Sequence, residues 1–215
     1  MTLTADLYFS FRSPYSYLAI GRYRDMAEAF DLDIALRPVY PLAIRQPDFF
    51  ERNHPNWLGY TMRDMIRVAQ FHSVPFGAPR PDPIIQNVMT REIAADQPYI
   101  RRITRLGQAA ARRGKGLAFA HEAAALIWGG AENWHEGDHL AGAAQRAGLD
   151  LGELDAEATA EADALDAEIA ANQASLEAAG HWGVPTLVFD GEPFFGQDRI
   201  EMVQWRMEHK GLTKR

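Results

Sequence analysis

The sequence predicts an α/β fold in which a β-α-β unit and a closing β-β-α unit are separated by a long block of helices. Three observations predict it. The apolar run Leu3 to Phe9 is followed by Ser13-Pro14 and then by Leu18, Tyr23, Met26, Ala27 and Phe30 at helical spacing. Ile34 to Val39 alternates as a strand does. Near the far end, Pro185 to Phe189 and Glu192 to Phe195 flank Asp190-Gly191, a strong two-residue hairpin signal.

The first helix is expected from about Pro14 to Phe30, with serine a favoured N-cap and proline a favoured first helical residue. A strand, a long helix and a second strand ending at Arg37-Pro38 suggest a parallel pair. Tyr40 to about Pro55 is irregular, with prolines at 41, 47 and 55, and so is either functional or partly helical. Leu58 to Ser73 returns to a helical period. Val74 to Pro83 carries four prolines and is extended. Ile84 to Gly114 reads as helical with a break near Gln97-Pro98, and Glu122 to Trp128 as a short helix. Asp138 caps Leu140 to Ala147, which Gly148 stops. Leu154 to Ala179 reads as one long alanine-rich helix with Gly180 at its end. Asp198 caps a final helix, Ile200 to His209, with Gly211 beyond it.

The chain has 215 residues, enough for one domain carrying a large insertion. Residues 1–40 and 180–215 are assigned to the first unit, bridged by helix 154–179, and 41–153 to the helical insertion. There is no run of about 18 apolar residues, so no membrane-spanning helix is expected. No basic and apolar leader opens the chain, and the cytoplasm is the expected compartment. The absence of cysteine excludes disulfides, thiolate metal sites and CxxC chemistry by the chain itself. The net charge of −7 argues against nucleic acid as a partner. That charge is uneven. Residues 147 to 198 hold twelve acids and no Lys or Arg, which leaves the remainder net positive. The split fits an anionic small molecule held near the basic part, or two oppositely charged solvated faces.

Local chemistry concentrates at a few places. Unpaired N–H groups and the helix dipole at Ser13-Pro14 would stabilise an anion such as a thiolate, although Ser13 as a plain cap explains the same residues. Pro185 in Gly183-Val184-Pro185-Thr186 fits the first residue of a strand, and also a cis bond exposing the backbone of Val184. His135-Glu136-Gly137-Asp138-His139 matches the H-E-x-x-H zinc pattern, but Gly137 and Asp138 read as a loop entering a helix, which disrupts that geometry. Arg101, Arg102, Arg105, Arg112, Arg113 and Lys115 form a basic helical segment, read as a solvated face in preference to an anion site. Met62, Met65 and Phe71 are expected in the core. Trp128, Trp134 and Trp182 are dispersed, with Trp182 near the candidate site, and His181 lies close to Val184.

Taken together, these pieces resemble a known family. The segments Tyr8 to Ala19, Arg37-Pro38, Tyr60 to Asp64, Val74-Pro75-Phe76, Gly183 to Thr186 and Phe195 to Arg199 resemble the thioredoxin-like fold of the DsbA branch. They are more closely similar to 2-hydroxychromene-2-carboxylate isomerases and kappa-class glutathione transferases. The resemblance implies that the Ser13 hydroxyl faces the sulfur of bound glutathione. It implies that Val184, with Pro185, pairs with the cysteinyl part of the tripeptide. It places the γ-glutamyl end at Gln197 and Asp198, beside Arg199, and a further contact at Asn53. It also implies a homodimer acting on an aromatic or conjugated carboxylate, in the breakdown of fused aromatic rings. Two positions depart from the pattern: Trp57 stands where a lysine is frequent, and Gln197 where the kappa class carries serine. A kappa-type transferase and a non-catalytic binding module are the alternatives that the residues leave open.

Overall fold

A computed structural model of the chain describes residues 2–46, 53–87 and 92–215. Strand β1 (Leu3–Phe9) pairs in parallel with β2 (Leu32–Pro38), Leu3 opposite Leu32 and Phe9 opposite Pro38, and helix α1 (Pro14–Ala29) makes the crossover. On its other side β1 pairs antiparallel with β3 (Thr186–Phe189), Tyr8 opposite Thr186. A turn through Asp190 (φ +53°) and Gly191 (φ +78°) leads into β4 (Glu192–Phe195), which gives a sheet of order β2-β1-β3-β4. The two positive φ values are what a twist-matched two-residue hairpin requires. Helix α9 (Ile200–Glu208) closes the chain.

Alternation along β1 divides the core. Ala5, Leu7 and Phe9 join the large cluster with α1, whereas Tyr8 packs with Val39 and Leu176. The Tyr8 hydroxyl also meets the Ser175 hydroxyl at 2.7 Å. Between β2 and β3 run α2 (Leu42–Arg45), α3 (Asn56–Phe71), α4 (Pro98–Arg112), α5 (Gly116–Trp128), α6 (His139–Arg146), α7 (Leu151–Ala160) and α8 (Ala162–Ala178). Helices α4, α5 and α8 pack on β2, and α5 also packs on α1. Among the described residues no helix is long and apolar enough to cross a membrane.

Several elements differ from the sequence expectation, each for a physical reason. The alanine-rich segment is two helices, broken at Glu161 (φ −114°, ψ 28°), and Arg112 pairs with Glu157 on the first, Glu168 on the second and Glu161 at the break. The described part of 84–97 is not helical. There the Gln97 side chain bonds Ile85 N, Ile85 O and Ala94 O, so side-chain hydrogen bonds replace a helical ladder. Helix α5 begins at Gly116, six residues before the expected Glu122, and packs so close to β2 that a Cβ at Gly116 would lie 2.8 Å from Leu36 Cβ. Met65 is buried, but Met62 and Phe71 are 49% and 84% exposed, because α3 offers the core only a narrow stripe around Met65 and Ala69. Asp198 does not cap α9. That position falls to Arg199, without a side-chain bond.

The basic segment is not a solvated face. Arg102 bonds Asp155, Arg105 bonds Asp166 (2.7 and 2.8 Å), and Arg112 reaches Glu157, Glu161 and Glu168. Arg113 also engages Glu157. The two charge blocks of the sequence therefore face each other, α4 against α7 and α8.

Phe11, fully buried, sits edge-on to Phe9 at 5.1 Å and to Phe119 at 6.2 Å. A Cβ at Gly107 of α4 would lie 2.6 Å from its ring. Gly107→Ala is therefore expected to destabilise the protein by about 2 kcal/mol through overpacking, as a denaturant titration would measure.

Candidate active site

Ser13 ends the turn between β1 and α1. With φ −91° and ψ 115° it caps α1, its Oγ accepting from Ser16 N at 3.2 Å, and Pro14 occupies the first helical position. The same hydroxyl donates to Val184 O at 3.3 Å. The Val184–Pro185 bond is cis. Thr186 Oγ1 donates to Gly183 O at 2.7 Å, and Gly196 N donates to Pro185 O at 2.9 Å, which ties the end of β4 to the same loop.

Residues 196–199 follow directly. Gly196 has φ +107°, a left-handed backbone conformation that calls for glycine. Asp198 is exposed and pairs with Arg199 at 2.8 Å. Arg22 of α1 donates through Nη2 to Gln197 O (2.6 Å) and Gln197 Oε1 (2.7 Å). The structure thus joins Ser13, Val184 and Pro185 directly, and links Gln197, Asp198 and Arg199 to them through Gly196. Asn53 belongs to a different segment: it lies half-buried, three residues ahead of the start of α3.

Two further groups lie beside the site; the first, around Tyr15, escapes a reading of the sequence, and the second brings His181 and Trp182 together with Phe195. Tyr15, in the first turn of α1, donates to Asp64 Oδ2 at 2.7 Å, and Tyr60 reaches Asp64 Oδ1 at 3.4 Å. Burial, reinforced by Asp64, pushes the Tyr15 phenol upward, so it stays a neutral donor, and it also feels the charge of Asp198. The i,i+4 spacing of Tyr60 and Asp64 was the available signal. The second group is a stack. Trp182 lies 4.5 Å from the His181 ring, and His181 lies 4.0 Å from Phe195. Trp182 and Phe195 each remain nearly half exposed. Burial lowers the His181 pKa, and its Nδ1 accepts from Gly183 N at 2.9 Å, so the ring is neutral. Gly183 permits the stack, because a Cβ would lie 2.7 Å from Phe195.

The turn and the start of α1 are also held by segments between β2 and β3. Arg12 makes a forked pair with Asp82 at 3.0 and 2.7 Å. Trp128 Nε1 donates to Phe11 O at 2.9 Å, and the Tyr17 hydroxyl to Pro75 O at 2.6 Å. At His135 to His139 the chain turns through Gly137 (φ +56°), so the two histidines do not share a helix face. Among the described residues no group of three or more His, Asp or Glu is placed to hold a metal.

Comparison with curated proteins finds no match. Among solved structures, 2-hydroxychromene-2-carboxylate isomerase superposes with a TM-score of 0.69 at 23% identity, over 96% of this chain and 95% of that one. The cytosolic disulfide reductase DsbM from Pseudomonas aeruginosa superposes with a TM-score of 0.60 at 18% identity, over 96% and 99%. DsbM has also been solved with GSH, and that structure matches at 17% identity, over 96% and 100%, with a TM-score of 0.60. At these identities the likeness is one of fold. The model of the DSBA-like thioredoxin domain matches residues 4–208. Sheet order, cis-proline loop and family match agree: the chain belongs to the DSBA-like thioredoxin domain family.

Proposed function

We propose that the chain is a glutathione-dependent isomerase of the 2-hydroxychromene-2-carboxylate type, acting in the cytoplasm as a homodimer on a conjugated aromatic carboxylate. The observation that carries this reading is the Ser13 hydroxyl, set at the start of α1 and bonded across to Val184 O, in a chain without cysteine. Lacking any thiol, the chain performs no disulfide exchange of its own. A thiol chemistry at this place needs a thiol from outside. The isomerase fold neighbour and the disulfide reductase solved with GSH support glutathione as that source.

The residues present fit the tripeptide. The Val184 N–H and the Gln197 Nε2 have no hydrogen-bond partner among the described residues. The first is available to an extended peptide backbone, the second to the γ-glutamyl carboxylate. Asn53, Asp198 and Arg199 are assigned to its remaining polar groups. Bound glutathione supplies a thiol whose reversible addition to a conjugated double bond permits rotation about it.

Ser13 sets the protonation state of that thiol. Holding a thiol one to two units below its ordinary pKa requires about 1.4–2.7 kcal/mol of differential interaction. One charge-assisted hydrogen bond contributes about 1.5–3 kcal/mol and a helix N-terminus about 0.3–1 kcal/mol more, so the two suffice. At 3.3 Å the bond from Ser13 to Val184 O is long, and giving it up for a sulfur anion costs little. The half-exposed faces of Trp182 and Phe195 beside Val184 offer a wall for a planar substrate.

Calorimetric titration with reduced glutathione, followed by the ultraviolet absorbance of the thiolate, tests the reading. Saturable binding is expected, with thiolate formed at neutral pH by the wild type and not by Ser13→Ala. A protein that fails to bind at millimolar glutathione is neither isomerase nor transferase. With 2-hydroxychromene-2-carboxylate as substrate, unchanged total glutathione separates isomerisation from transfer.

A further inference from the structure

Arg22 lies on α1 nine residues after Ser13, roughly 13 Å along the helix axis. It is half-buried, and desolvation lowers its pKa. Its Nη2 gives both hydrogen bonds to Gln197, whereas its Nε is buried with no partner. No carboxylate among the described residues bonds it; Glu201 and Asp198 act on it only at longer range. A desolvated guanidinium with an orphaned N–H is a poor way to stabilise a loop. What it provides is orientation.

A guanidinium has donors only. The Gln197 side-chain atom that meets Arg22 must therefore be the oxygen, which turns the Nε2 amide group the other way. The main-chain carbonyl of Gln197 is held by the same nitrogen, so neither backbone nor side chain is free to rotate. Without this clamp the amide would flip and present its oxygen, an acceptor, to whatever binds there.

We propose that Arg22 is a positioning residue. It fixes the Gln197 amide so that Nε2 donates to the carboxylate of the γ-glutamyl end of glutathione, and the site thereby selects a ligand with an acceptor at that place. This rests on the glutathione reading of the site.

The test is calorimetric, with glutathione and with cysteinylglycine, which keeps the thiol and lacks the γ-glutamyl group. Arg22→Met is expected to weaken glutathione binding about tenfold while cysteinylglycine binding stays within about twofold. Gln197→Ala is expected to do the same. The double variant should lose no more than either alone, because the two residues act as one unit. Arg22→Lys should recover part of the loss. Gln197→Glu keeps a partner for Arg22 but offers acceptors alone, so it should weaken glutathione more than Gln197→Ala does and spare cysteinylglycine; it carries the test if Arg22→Met does not fold. Equal weakening of both ligands, additive losses, or wild-type glutathione affinity in Gln197→Glu each overturn the proposal and leave the glutathione reading in place. A wild-type protein that binds no glutathione overturns both.

Discussion

Ser13→Asp is expected to leave the protein folded with nearly wild-type stability while removing the thiolate that the proposed glutathione reading places beside Ser13. Aspartate is as good an N-cap as serine, and its charge suits the positive end of α1, so the bond from Ser16 N survives. The same charge faces the sulfur. Where the serine hydroxyl lowers the thiol pKa, a neighbouring carboxylate raises it. A swing of about two pKa units, from about 7 to about 9, would cut the thiolate fraction at neutral pH from about half to about one per cent, roughly fiftyfold. Ser13→Ala separates the terms in the other direction: it loses the cap, at about 1 kcal/mol, together with the donor. Thermal melts and thiolate absorbance on the two variants therefore divide the structural role of Ser13 from its chemical one.

Arg112→Met is expected to cost about 2 kcal/mol, or roughly 4–8 °C in melting temperature, because Glu161 and Glu168 lose their cation and Glu157 keeps only Arg113. The loss is held down by the exposure of Glu161 and Glu168, 53% and 40%. The same interface sets the response to acid. Hydrogen bonds from Arg112 hold Glu168 below the ordinary glutamate value, and Arg105 does so for Asp166. Burial pushes Glu157 up, but Arg113 and Arg112 outweigh it. Carboxylates depressed in the folded state contribute fully above their ordinary pKa values and lose that contribution as pH falls through the folded ones. Stability should therefore be flat above about pH 5 and drop steeply below about pH 4.5. In Arg112→Met the drop should be shallower. Denaturant titrations between pH 3 and 7 on both proteins would show it, and an unchanged acid slope would mean that the interface does not govern the acid response.

That interface also shows what the sequence conceals. The signs of the two charge blocks are plain in the composition, but sign does not say which face meets which. Arg102 finds its partner on α7, Arg105 on α8 and Arg112 on both, either side of the break at Glu161, and nothing in a run of alanine and glutamate marks a break there. Ser13-Pro14, the hairpin at Asp190-Gly191 and the strands around them were legible because their signals are local: a cap, a ring-fixed φ, a turn that needs positive φ. Helical periodicity was less dependable. It is equally present in α3, where Met62 and Phe71 face outward, and around Ile84, where the Gln97 side chain captures the backbone. Of the candidate site, the residues carried by the family motifs could be placed on the fold. Arg22 had no signal, because a clamp between a helix midpoint and a distant loop leaves no pattern in spacing.

The turn that carries Ser13 is held by Val184 and also, through Arg12 and Phe11, by Asp82 and Trp128. Its position is thus an average struck between two regions far apart in the chain. A substitution of Trp128, whose indole N–H donates to Phe11 O, is therefore expected to shift that average. On the proposed glutathione reading, a change of substrate through the segments between β2 and β3 would be coupled to the acidity of the thiol beside Ser13: changing what the protein recognises would also retune how strongly it activates.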